Sequence, residues 1–116
     1  MPEPSDRPST LNPQPSTGPQ DLTYTPALRL QTLIRTREVS PVELLDAVLA
    51  RVEAVDPHIH AFVTLDADRA RDAARAAEAG VARGDDLGPL HGIPVSIKDL
   101  ELTAGLRTTY GSKFFE

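Results

Sequence analysis

From Thr25 onward, apolar residues recur every three or four positions. Ala27, Leu30, Leu33 and Ile34 fall on one face of a helix. Thr25 is placed to cap it and Pro26 suits its first position. The helix is expected to end near Arg37. Ser40-Pro41-Val42-Glu43 carries a stronger start signal, a capping box with proline at the first helical position. Leu44, Leu45, Val48, Val52 and Val55 then continue the helical spacing. Asp56-Pro57 is expected to stop the run, because a residue before proline avoids the α region. Two helices joined by so short a link are expected to pack antiparallel along their apolar stripes.

The period then changes. Ile59, Ala61, Val63 and Leu65 alternate with His60, Phe62 and Thr64, which predicts a strand. Asp66 is a natural N-cap for a helix over 67–83, where eight alanines supply high propensity. Asp72, Arg75 and Glu78 are spaced to pair weakly along its exposed side. Gly80 and Gly84 mark where this helix frays and stops. Gly84-Asp85-Asp86-Leu87-Gly88-Pro89 reads as a loop. Ile93-Pro94-Val95-Ser96-Ile97-Lys98 reads as a second strand, with Pro94 near its start, where a missing donor is tolerated. Thr103-Ala104-Gly105 is a turn. The order helix, helix, strand, helix, strand predicts an α/β architecture with a parallel pair joined by a crossover helix.

Composition limits this picture on its N-terminal side. Six of the eleven prolines lie in the first 19 residues, among Ser, Thr, Gln and Asn. Such a segment has too little apolar surface to offset ordering entropy. Residues 1–24 are therefore expected to be a disordered Pro-rich tail, leaving 25–116 as the folding part. The chain of 116 residues allows one small domain.

Charge and residue usage exclude several functions. Twelve basic against seventeen acidic residues give a net charge of −5, against the clustered Lys/Arg of a non-specific nucleic-acid binder. Only five aromatics are present, too few for a stacking platform. No cysteine is available as a nucleophile, disulfide or zinc ligand. His58, His60 and His91 show no metal-ligand spacing, so no metal is expected. No apolar run is long enough to span a membrane and no secretory leader is evident. A cytoplasmic location, with no nucleic-acid or membrane partner, is the expectation.

Candidate chemistry centres on Lys98. A lone lysine is ordinarily a solvated surface cation. This one closes an apolar strand, and active groups in open α/β sheets often lie just beyond strand carboxyl ends. Its surroundings are also distinctive. Gly88-Pro89-Leu90-His91-Gly92-Ile93-Pro94-Val95-Ser96-Ile97-Lys98-Asp99, followed by Thr103-Ala104-Gly105-Leu106 and Thr108-Thr109-Tyr110-Gly111-Ser112, resembles the conserved-lysine block of the amidase-signature family. Glu38-Val39-Ser40-Pro41-Val42-Glu43-Leu44 and His60-Ala61-Phe62-Val63-Thr64 resemble that family's N-terminal helices and first strand. Together the resemblance covers about residues 25–116, with departures from common versions at Leu100, Glu101 and Arg107.

This resemblance implies the N-terminal portion of an α/β/α fold around a large mixed sheet. It also implies a Ser–cis-Ser–Lys triad that hydrolyses carboxamide C–N bonds without a cofactor. Only Lys98 is carried onto this chain, as the amine that takes and returns the proton. A free lysine is protonated at neutral pH, so that role requires burial to lower its pKa. The family's serines lie in a Gly/Ser-rich segment that this sequence does not contain. Ser96 and Ser112 are not in such a turn and are not substitutes. Asp99 beside Lys98 is expected to serve structure, because a carboxylate paired with the lysine would oppose the base role. His91 is expected to be a packing or loop residue. The chain is thus expected to be an amidase segment truncated before the catalytic serines, inactive in isolation. A small-molecule amide is the expected substrate of a full-length form, and a homodimer is left open. Within the family the alternative is the glutamine-hydrolysing subunit of a tRNA-dependent amidotransferase, with Leu90-His91-Gly92 and the proline-rich leader leaning towards the general amidase. Outside the family, the alternative is a non-catalytic interaction fragment.

Overall fold

The computed structural model describes residues 21–116. Of the expected tail, residues 1–20 lie outside that range. Leu22–Tyr24, which the same expectation included, instead form a turn of 3₁₀ helix. Asp21 caps it by accepting the Thr23 N–H at 3.0 Å, and Leu22 packs against the apolar core. Arg51 donates to the Tyr24 hydroxyl at 2.7 Å and also lies over the ring, 5.4 Å from its centroid.

Three α helices follow: α1 (Ala27–Arg35), α2 (Pro41–Ile59) and α3 (Ala67–Arg83). The N-cap of α1 is Pro26 rather than Thr25, whose hydroxyl is engaged with the Asp21 carbonyl at 2.9 Å. Its link to α2 is closed by the Glu38 N–H on the Leu33 carbonyl at 2.9 Å, with Arg37 in the left-handed region at φ 61°. At the start of α2 both halves of the capping box form. The Ser40 hydroxyl accepts from Glu43 N–H at 3.0 Å, and the Glu43 carboxylate accepts from Ser40 N–H at 3.4 Å.

The expected stop at Asp56-Pro57 is not where α2 ends. The helix continues to Ile59, with Pro57 in its last turn. There the missing N–H removes one bond and no further helix follows to be broken. Asp56 supplies the closure instead. Its carbonyl accepts from His60 N–H at 2.7 Å, and its carboxylate accepts from Ala61 N–H at 2.7 Å and Phe62 N–H at 3.2 Å.

Leu30, Leu33 and Ile34 of α1 bury with Val39, Leu44 and Val81, and Val48, Leu87 and Ile93 flank them. The apolar stripes of α1 and α2 meet there, through Leu30, Leu33 and Ile34 on one side and Leu44 and Val48 on the other. The more extensive packing of α2 is against α3 and the Leu22–Tyr24 turn. The polar edge of α1 is taken by the segment after α3: Arg35 donates to the Leu87 carbonyl at 2.9 Å and Gln31 to the Pro89 carbonyl at 3.0 Å. Arg37 donates to the Val81 carbonyl at 3.0 Å, where a cation suits the C-terminal end of α3. The ends of α3 follow the sequence, with Asp66 accepting from Arg69 N–H at 3.1 Å and Gly84 closing at φ 74°.

The α/β expectation is corrected among the described residues. They contain helices and turns but no strand. Residues 61–65 and 93–98 show strand alternation but have no ladder partner. A strand is made by pairing its N–H and C=O groups with a neighbour, and alternation alone does not supply one. Val63, Leu65, Val95 and Ile97 consequently stay exposed.

Candidate functional site

The two unpaired segments face a common cleft of about 790 Å³. Residues 61–66 form one wall and 95–99 the other. Arg69, Ala70 and Ala73 of α3 contribute between them, and Glu101, Thr103, Leu106, Arg107 and Thr108 complete the lining. Arg69 reaches out of α3 to donate to the Ala104 carbonyl at 2.9 Å. That bond holds the 103–105 turn at the rim. Gly105 permits the approach, since a Cβ there would lie 2.6 Å from an Arg69 guanidinium nitrogen.

Lys98 lines this cleft and is exposed. The burial expected for it is not provided by the described residues. Its backbone is held, because its carbonyl accepts from Glu101 N–H at 3.0 Å. Among the described residues no carboxylate pairs with its ammonium.

The adjacent carboxylate is committed elsewhere. Asp99 accepts from Thr109 N–H at 2.7 Å, from the Thr109 hydroxyl through a short bond, and from Gly111 N–H at 3.3 Å. Its own carbonyl accepts from Tyr110 N–H at 3.1 Å. The Thr109 hydroxyl and amide lower the Asp99 pKa most, with smaller contributions from Gly111 N–H and the Arg107 charge, while desolvation opposes them. Thr109 is only 2 % exposed, the one buried polar residue among those described. Asp99 thus serves structure, as the lysine's base role would require.

The remaining candidates disperse. Ser96 shares the cleft wall with Lys98. Ser112 caps the terminal turn Lys113–Phe115 by accepting from Phe114 N–H at 3.2 Å. His91 docks on α3, with Nε2 2.8 Å from the Ala77 carbonyl. No group of His, Asp and Glu suited to a metal ion occurs among the described residues. No helix among them is long and apolar enough to cross a membrane. Thr109 falls within the motif of the lysine block, but periodicity gives no sign that it pairs with Asp99 or that Arg69 reaches Ala104. The only local signal is turn chemistry at Tyr110-Gly111 and Ala104-Gly105, which marks bends without saying what holds them.

Comparison with known proteins returns one family. The family model described as Amidase matches residues 43–116. Curated relatives include three subunits of glutamyl-tRNA(Gln) amidotransferase, all of the same type. That of Acidothermus cellulolyticus is 49% identical over 96 residues, covering 83% of this chain and 19% of the relative. That of Carboxydothermus hydrogenoformans is 44% identical over 96 residues, with 83% and 20% covered. That of a Roseiflexus species is 53% identical over 79 residues, with 68% and 16% covered. The chain thus spans about a fifth of the length of these relatives. No solved structure matches it significantly.

Proposed function

Because the chain belongs to the amidase-signature family, we propose that it forms the lysine-bearing segment of an amide-hydrolysing enzyme, of the kind named as a subunit of glutamyl-tRNA(Gln) amidotransferase. The observation that carries this reading is the identity of 44–53% to those amidotransferase subunits over 68–83% of this chain. It displaces the general amidase from first place. Leu90-His91-Gly92 leans towards the general amidase in sequence, but His91 is accounted for by its contact with the Ala77 carbonyl.

In this reading Lys98 is the base of a Ser–cis-Ser–Lys triad, and the substrate is the side-chain amide of glutamine. A serine attacks the amide carbonyl while a second serine passes its proton to the neutral Lys98 amine. Lys98 returns that proton to the departing ammonia. Water then releases glutamate from the acyl-enzyme, regenerating the serine. The serines, and the cover that desolvates Lys98, belong to further polypeptide of a full-length enzyme. The cleft supports this, because Lys98 stands on its wall with no carboxylate partner among the described residues to hold the charged form.

The expectation of no nucleic-acid partner does not carry over. The relatives are named for a glutamyl-tRNA, so the proposed enzyme acts on a tRNA-borne group together with other subunits. The negative charge of this segment argues only that its own surface is not the tRNA-binding face. Ammonia release from glutamine by the full-length protein, with and without Lys98→Ala, tests the reading. Hydrolysis of unrelated carboxamides with glutamine untouched restores the general amidase.

A further inference from the structure

Residue 99 is fastened to the turn at 109–111 through both its side chain and its backbone. Three donors from Thr109 and Gly111 fill the carboxylate, and Tyr110 N–H occupies the carbonyl. The turn is shaped for this, with Tyr110 at φ 53° and Gly111 at φ 69°, both left-handed. Thr109 contributes its amide and hydroxyl to Asp99, and the same hydroxyl accepts from Gly111 N–H at 3.2 Å. A polar side chain this buried must be paired, and every partner it has lies within this cluster.

The consequence falls on the preceding residue. Asp99 opens a turn and borders the same cleft as Lys98, yet its carboxylate is taken up by the Thr109 and Gly111 donors. The Lys98 carbonyl is tied into the turn to Glu101. The lysine backbone is therefore held on its C-terminal side, through its own carbonyl and through Asp99, while its ammonium stays unpaired among the described residues.

We propose that Asp99 and Thr109 form a positioning clamp for Lys98, one that fixes the lysine backbone at the cleft wall and withholds the neighbouring carboxylate from its amine. This rests on the reading of Lys98 as a base. Asp66, Glu101, Arg69 and Arg107 also border the cleft, and neither of those carboxylates pairs with the amine. Asp99, adjacent in the chain, is the one the turn restrains, and once freed within reach of the amine it would stabilise the ammonium and remove the base at neutral pH. Thr109 acts through Asp99 and touches no substrate.

The test is the pH dependence of kcat for glutamine hydrolysis by the full-length protein. A base that must be neutral gives a limb ascending with pH. Thr109→Val removes the hydroxyl, leaving one Asp99 oxygen with only the longer Gly111 N–H bond and so able to turn toward the amine. The ascending limb should move to higher pH by about one unit, lowering kcat about tenfold on that limb at unchanged KM. Thr109→Ser should keep the wild-type limb. Adding Asp99→Asn to Thr109→Val should return the limb to its wild-type position, since no carboxylate remains. A merely structural role would lower the melting temperature without moving the limb. An unmoved limb in a folded Thr109→Val protein overturns the clamp. If that variant does not fold, Asp99→Asn alone decides. A limb displaced to lower pH makes Asp99 the lysine's counter-ion and overturns the proposal, and an unmoved limb supports it. Lys98→Ala separates the clamp from the base role on which it rests. Full activity in that variant removes the base role itself, whereas an inactive Lys98→Ala beside a normal Thr109→Val removes only the clamp.

Discussion

Gly92 sits directly against Pro41, so the loop leading to the lysine segment is braced on the first residue of α2. A Cβ placed on Gly92 would lie 2.7 Å from Pro41 Cγ and 3.4 Å from Ile34 Cδ1. Pro41 is buried, and a change of ring pucker moves its Cγ only slightly. Gly92 also holds φ 77°. The Gly-Ile-Pro stretch before Lys98 thus has a packing reason of its own. Gly92→Ala combines left-handed strain with overlap and should destabilise the chain by about 2–4 kcal/mol. Urea unfolding checks this, and a change under about 0.5 kcal/mol would mean that the contact relaxes freely.

The capping box gives a second prediction. Ser40→Ala removes the acceptor for Glu43 N–H and should cost about 1 kcal/mol. Glu43→Gln should cost less, because the amide oxygen can still accept from Ser40 N–H. Equal losses in the two variants would show that the carboxylate charge near the helix start matters more than the cap.

Signals confined to a few neighbouring residues are the most legible in the sequence. Ser40 and Glu43, Asp66 as N-cap and Gly84 as stop all act within one helical turn, and each appears where local chemistry puts it. The apolar face of Leu30, Leu33 and Ile34 likewise follows from helical spacing. Pro57 misleads because its effect depends on position, and in a last turn it terminates nothing. The segments 61–65 and 93–98 carry strand alternation, but pairing is a property of two segments, and neither finds a neighbour among the described residues. The site divides the same way. Lys98 is visible through its motif, and a structural role for Asp99 follows from charge logic. The partner Thr109, ten positions on, has no periodic signature that would connect it to Asp99.

The Asp99 cluster also predicts a pH dependence. Its folded-state pKa lies below the ordinary 3.8, chiefly through the Thr109 hydroxyl and amide. Around that pH the unfolded chain binds more protons than the folded one, so stability rises with pH. The contribution is complete above the ordinary value and is lost as pH falls through the lower folded value. The amide resonances of Thr109 and Gly111 should titrate together, with a midpoint below 3.8. Asp99→Asn should abolish that titration and flatten this part of the acid stability profile. A midpoint above the ordinary value would mean that desolvation outweighs the hydrogen bonds.

Lys98 gives the prediction with the largest effect. If a neutral amine at residue 98 relays the proton between serine and leaving ammonia, two substitutions of very different size should fail alike. Lys98→Ala removes the amine and should lower kcat by about 10²–10⁴. Lys98→Arg keeps length and charge, but its guanidinium stays protonated at any working pH, so it should fall in the same range. A lysine that only balances charge or packs the cleft wall would behave differently, because arginine would then restore most of the activity. Lys98 is exposed on the cleft in residues 21–116, so neither substitution creates a cavity or strands a buried charge there. In the 116-residue chain both variants should accordingly unfold at the wild-type urea midpoint. Loss of glutamine hydrolysis in both variants of the full-length protein is the signature of a base. Activity retained by Lys98→Arg would reassign Lys98 to electrostatics and leave the proton relay without its acceptor.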